Sequence, residues 1–110
     1  MPYTVLLSED AEQDIEDLYQ FIANRDGVET ADRILGELEA AASSLEDMPA
    51  RGNVPKELAP IGITEYRELH HKPWRMIYRI LGSDVIIYCV ADGRRDMQSL
   101  LERRLFRTAR

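Results

Sequence analysis

From residue 11 onward, apolar side chains recur at Ala11, Ile15, Leu18, Tyr19 and Ile22. That spacing keeps one stripe of a helix buried and leaves the intervening polar positions in water. The stretch "SED" (8–10) supplies the start: Ser8 can accept a first-turn amide, and Glu9 and Asp10 suit the positive end of the helix dipole. "NRDG" (24–27) supplies the stop. A second stripe runs through Ile34, Leu38, Ala41, Leu45 and Met48 and is expected to end at Met48-Pro49, since proline disfavours helix in the residue before it. The short turn between the two stripes predicts an antiparallel helical hairpin. "YTVLL" (3–7), ahead of the first helix, reads as a β-strand.

The pattern then changes period. Residues 49–64 hold three prolines and two glycines with no strong periodicity, which predicts a loop without a polar constellation of its own. Three β-like runs follow: "EYRELHHK" (65–72), "PWRMIYRIL" (73–81) and "DVIIYCVA" (84–91), the last two joined by the hairpin turn "GSD" (82–84). In the middle run Arg75, Ile77 and Arg79 alternate with Trp74, Met76, Tyr78 and Ile80. Guanidinium groups therefore take one face, and the other packs on the helices. "VIIYCVA" is apolar on both faces, as a central strand would be, and Cys89 within it reads as a small buried hydrophobe. "RRDMQSLLERRL" closes the chain as a short helix, with Arg103 and Arg104 pointing outward and the final "FRTAR" expected to fray. The fold class is α+β, in the order β-α-α-β-β-β plus a C-terminal helix. The hairpin lies on one face of a small, mostly antiparallel sheet, as a single domain over residues 1–110.

Charge sharpens this picture. Residues 1–50 hold thirteen acidic and two basic side chains, whereas residues 51–110 hold seven acidic and twelve basic. An imbalance that large predicts a cationic surface built from the second half. Its members would be Arg67, Arg75 and Arg79 on an incompletely covered sheet face, rimmed by Arg94 and Arg95. One cysteine excludes an internal disulfide and fits a reducing cytoplasm. No apolar run is long enough to span a bilayer, the acidic N-terminus does not read as a signal peptide, and no membrane partner is expected. His70 and His71 are adjacent on a predicted strand and so face opposite sides, which argues against a shared metal. No metal or cofactor is expected.

Taken in order, "AEQDIEDLYQFIA" (11–23), the L-x-x-M-P-x-x-G run at 45–52, "YREL" (66–69), "KPWRMIYRI" (72–80) and "VADGRRDMQSLLERRL" (90–105) resemble the RelE/ParE superfamily of bacterial toxin–antitoxin toxins. The resemblance covers nearly the whole chain. It implies a toxin neutralised by a cognate antitoxin, and one of two modes of action. RelE-type members cleave messenger RNA in the ribosome; ParE-type members trap DNA gyrase on cleaved DNA and block replication.

The residues bear on that choice. Cleaving RNA through its 2′-hydroxyl needs a base, an acid, and cations around the crowded phosphate. The resemblance matches Arg75 and Arg95 to the arginines of RelE-like ribonucleases. The lysine pair expected before the first of them is replaced by "YREL", and Leu100 or Leu101 stands where a closing-helix tyrosine would be. Arginine stays protonated and is a poor base. The expectation is therefore a ParE-like gyrase inhibitor without catalytic residues, binding its target through Arg67, Arg75, Arg79, Arg94, Arg95, Arg103 and Arg104. It would not bind DNA sequence-specifically on its own. The alternative is a ribosome-dependent ribonuclease using Arg75 and Arg95 with His70, His71 or Glu68 as acid–base groups.

Overall fold

The computed structural model describes residues 2–106. Strand β1 (Thr4–Leu7) leads into α1 (Glu9–Asp26) and α2 (Val28–Ser43). Strands β2 (Tyr66–His71), β3 (Trp74–Leu81) and β4 (Asp84–Asp92) follow, and α3 (Met97–Phe106) ends the described chain. Ser8 caps α1 as its position suggested, its Oγ accepting from the Ala11 amide at 3.1 Å. Gly27 forms the whole turn of the helical hairpin with φ 100°, a left-handed value that a Cβ would strain. The second helix is shorter than its stripe predicts. It gives way at Ser44 to a 3₁₀ turn that still buries Leu45 but leaves Met48 58% exposed. The expected fraying of "FRTAR" falls almost wholly on residues 107–110, outside the described residues.

The sheet order is β1-β4-β3-β2. β4 is central as its two-sided apolarity demanded, flanked by β1 in parallel and β3 antiparallel. Against one face the hairpin buries Leu18, Ile22 and Leu38 on Met76, Tyr78, Val85 and Ile87. The opposite face corrects the expectation of an open sheet. α3 places Met97, Leu100, Leu101 and Leu105 on Ile77, Cys89 and Ala91, and Leu58 from the long loop completes this second core. Full burial of each such leucine stabilises the fold by roughly 1.5–3 kcal/mol, so α3 is an integral layer.

One irregularity sets the geometry of that layer. The β3–β4 register steps from Ile77↔Cys89 to Tyr78↔Ile87, leaving Tyr88 as the extra residue of a β-bulge. The bulge turns both Tyr88 and Cys89 toward α3. It falls where β1 has ended, so among the described residues the outer edge of β4 beyond Ile87 has no strand beside it.

Candidate functional site

Arg75 does not stand on an open face. It is 6% exposed and held by two carboxylates. Its Nε donates to Glu68 Oε1 at 2.6 Å, and its two terminal nitrogens donate to Glu57 at 2.8 and 3.0 Å, a bidentate fork. Glu68 is 2% exposed and also accepts from the Asn53 side-chain amide at 3.2 Å. The Asn53 and Glu68 backbones form an isolated antiparallel bridge, which fastens the long loop to β2. The Arg75 fork lowers the Glu57 carboxyl below its usual range, against the upward push of burial. Gly93 makes room for this arrangement: a Cβ there would stand 3.0 Å from Arg75 Cδ. The loop expected to carry no polar constellation thus supplies half of one.

A cavity of about 300 Å³ opens beside the clamp, lined by Lys56, Glu68, His70, Lys72, Trp74 and Arg75, among others. Lys56 and Lys72 are exposed and have no ion-pair partner among the described residues. His70 lies 3.5 Å from Glu68, whereas His71 points the other way and meets Glu37 of α2 at 2.8 Å. The opposite orientation expected of adjacent strand residues is observed. Among the described residues, no group of three or more His, Cys, Asp or Glu could hold a metal ion.

The other arginines separate into two sets. Arg67 pairs in register with Tyr78 and so lies on the hairpin face, away from Arg75 and Arg79. It donates to the Gly52 carbonyl at 2.7 Å and the Ala50 carbonyl at 3.2 Å. Tyr78 reinforces that anchor, donating to the Pro49 carbonyl at 2.7 Å and accepting from the Gly52 amide at 3.0 Å. A Cβ at residue 52 would meet the Glu68 carbonyl at 2.5 Å, which accounts for the glycine that ends the 45–52 run. Arg94 folds back on Asp92 and draws that carboxyl down to about 2.

Arg104, expected to project outward, turns inward. Its guanidinium grips both oxygens of Asp14 at 2.9 and 3.1 Å and donates to the Tyr88 carbonyl at 2.9 Å. Asp14 in turn accepts from the Val90 amide at 2.9 Å. These two side chains satisfy the β4 edge that β1 leaves unpaired, and they tie α1, β4 and α3 together. The remaining arginines of the predicted surface are Arg79, Arg95 and Arg103, none in an ion pair among the described residues. Arg79 lies 5.7 Å over the Tyr66 ring. Arg95 and Arg103 are exposed beside Leu100. Arg95 also lines a recess with Asp14, Asp17 and Trp74, not the cavity at Arg75.

The model of the family described as "ParE toxin of type II toxin-antitoxin system, parDE" matches residues 5–97. The chain belongs to the ParE toxin family. It is 30% identical over 88 residues to Toxin ParE3 of Caulobacter vibrioides, covering 80% of this chain and 84% of that one. Among solved structures, a chain of the chromosomal ParDE system of P. aeruginosa superimposes with a TM-score of 0.68 at 16% identity, over 82% of this chain and 95% of that one. A chain of the RelBE2 toxin–antitoxin complex of Mycobacterium tuberculosis gives 0.61 at 23% identity, over 84% and 92% respectively. A mutant of E. coli toxin RelE in the free state gives 0.66 at 12%, over 98% and 99%. These structural likenesses show a fold common to ParE and RelE toxins. No helix among the described residues is long and apolar enough to cross a membrane.

Proposed function

We propose that this ParE-family toxin acts by binding DNA gyrase and blocking replication in the cytoplasm, without catalysing RNA cleavage, and that a cognate antitoxin neutralises it. The family match over residues 5–97 carries this reading. The clamp on Arg75 supports it: every guanidinium nitrogen already donates to a carboxylate, so two carboxylates offset the charge a phosphate would need, and reaching the whole fork would mean displacing Glu57 or Glu68. Breaking a buried pair of this kind costs about 3–5 kcal/mol. The arginines of the predicted surface left for a target are Arg79, Arg95 and Arg103, with Lys56 and Lys72 also unpaired among the described residues. Arg67, Arg75 and Arg104 serve the fold, while Arg94, 80% exposed, is paired with Asp92.

Since α3 covers the far face of the sheet, the antitoxin segment needs another surface. A groove of about 560 Å³ between the hairpin and the sheet, lined by Leu7, Ile15, Leu35, Leu38, Met76 and Ile87, offers apolar pockets for one. Its rim carries Glu12 and Glu39.

One observation favours the ribonuclease reading. Lys56, Lys72 and His70 line the Arg75 cavity with Glu68, which gathers groups able to move protons beside cations. Inducing the chain in cells and following DNA breaks and transcript ends in parallel separates the two. DNA breaks with intact transcripts are expected. Codon-phased cuts without DNA breaks would transfer the assignment to that cavity.

A further inference from the structure

Four residues along β3 from Arg75, roughly 13 Å away, lies a separate recess of about 360 Å³ around Arg79. Tyr66 of β2 and Tyr88 of the bulge form its floor, their rings edge to face at 5.8 Å and 75°. Arg79 forms one wall, over the Tyr66 ring. Glu9, from the first turn of α1, forms another.

Three features mark it as a ligand site. Tyr66 is only 8% exposed, yet its hydroxyl has no hydrogen-bond partner among the described residues. Since no fully buried side-chain oxygen among them goes unpaired, that hydroxyl keeps some exposure, on a residue that lines the recess. Arg79 and Glu9 are opposite charges lining one space, and neither has an ion pair among the described residues. Burial raises the Tyr88 phenol above its ordinary value, Tyr66 adds to the rise and Arg79 opposes it, so the three groups sense one another.

We propose that this recess binds the guanine base of a nucleotide. Guanine presents O6 and N7 as acceptors to an arginine fork on one edge. On its other edge N1–H and the N2 amino group donate to a carboxylate, and its flat face suits a tyrosine floor. Arg79, Glu9 and Tyr88, the less buried of the two tyrosines, supply those three complements. Adenine fails at both walls, turning its amino donor toward Arg79 and a bare ring nitrogen toward Glu9. A simple anion could use Arg79 but would be repelled by Glu9 and Asp10, since Arg104, which also lines the recess, is already engaged by Asp14. The volume lies at the lower end of the usual range for small-ligand pockets, ~300–1,000 Å³. The base could come from a free guanine nucleotide or from an unpaired guanine in single-stranded RNA, with the same contacts in both.

The test is a titration of the full chain, isotope-labelled for NMR, with GMP, AMP and inorganic phosphate. GMP is expected to shift the Tyr66, Arg79 and Tyr88 amides saturably. AMP should bind at least about tenfold more weakly, as loss of a bidentate base contact implies. Glu9→Gln, at an exposed position that leaves folding undisturbed, should weaken GMP several-fold without changing AMP. Arg79→Lys keeps the charge but not the fork and should remove the preference for GMP. A short oligouridine carrying one guanine separates the sources: tighter binding than GMP identifies RNA, and equal or weaker binding identifies the free nucleotide. Equal affinity for GMP and AMP, competition by phosphate alone, an indifferent Glu9→Gln, or no saturable shift would each overturn the proposal.

Discussion

Arg75 shows how little a residue type says before its neighbours are known. A guanidinium beneath a cavity is what phosphate chemistry needs, but one paired with the buried Glu68 and the half-buried Glu57 is a cross-link between loop, β2 and β3. Removing it strands Glu57 and Glu68, so Arg75→Ala is expected to lower unfolding stability by about 3–5 kcal/mol, read from urea denaturation. The same clamp predicts the acid response. Glu57 has a native pKa below its unfolded value, so it stays ionised where the unfolded chain has bound a proton. Its stabilising contribution is complete above the unfolded value of ~4.3 and is lost as pH falls through the lowered native one. Asp92 behaves alike, down to a native value of about 2. Urea midpoints should therefore fall on acidification below about pH 5, and more shallowly in Glu57→Gln. An unchanged slope in that variant would mean that Glu57 is not held by Arg75 in solution.

At the scale of elements, the hairpin, the central place of β4 and the facing of β3 were legible because hydrophobic period encodes them directly. The role of α3 was only half legible. Leu100, Leu101 and Leu105 announced a buried side, but how much of the sheet they cover depends on the Tyr88 bulge, which leaves no trace in periodicity. Asp14 was hidden for a related reason. It sits among acidic positions that read as a solvated face, and only the early end of β1 turns it into a partner for the Val90 amide and Arg104. Asp14→Ala is expected to cost about 1–3 kcal/mol by orphaning that amide. Hydrogen exchange should show Val90 losing protection relative to the β3-facing amides of the same strand. Leu101→Ala, which opens the α3 core, should cost about 2–5 kcal/mol. A smaller loss there would mean that α3 packs loosely.

For the whole molecule, the charge imbalance between the two halves resolves into internal and external shares. Arg75, Arg94 and Arg104 meet carboxylates of their own chain, the last reaching into the acidic first half. Arg79, Arg95 and Arg103 are left for something else. The site was legible as a set of arginines and not as a geometry, because which cations are neutralised depends on contacts such as Glu57 to Arg75, 18 residues apart. The double variant Arg95→Ala/Arg103→Ala touches exposed positions, so its stability should stay within about 0.5 kcal/mol of the parent chain. Its toxicity on induction should nevertheless fall by at least about tenfold if this surface meets the target; that corresponds to ~1.4 kcal/mol of lost binding.

The central claim is that the toxin disables gyrase by binding and leaves RNA uncut. It is tested most directly by adding the purified chain to DNA gyrase and relaxed plasmid, and in parallel to ribosomes programmed with a defined messenger. The account predicts loss of supercoiling or trapped cleaved DNA at stoichiometric concentrations of the chain, with the messenger intact. Unimpaired supercoiling together with messenger cleaved at turnover numbers above one would contradict it.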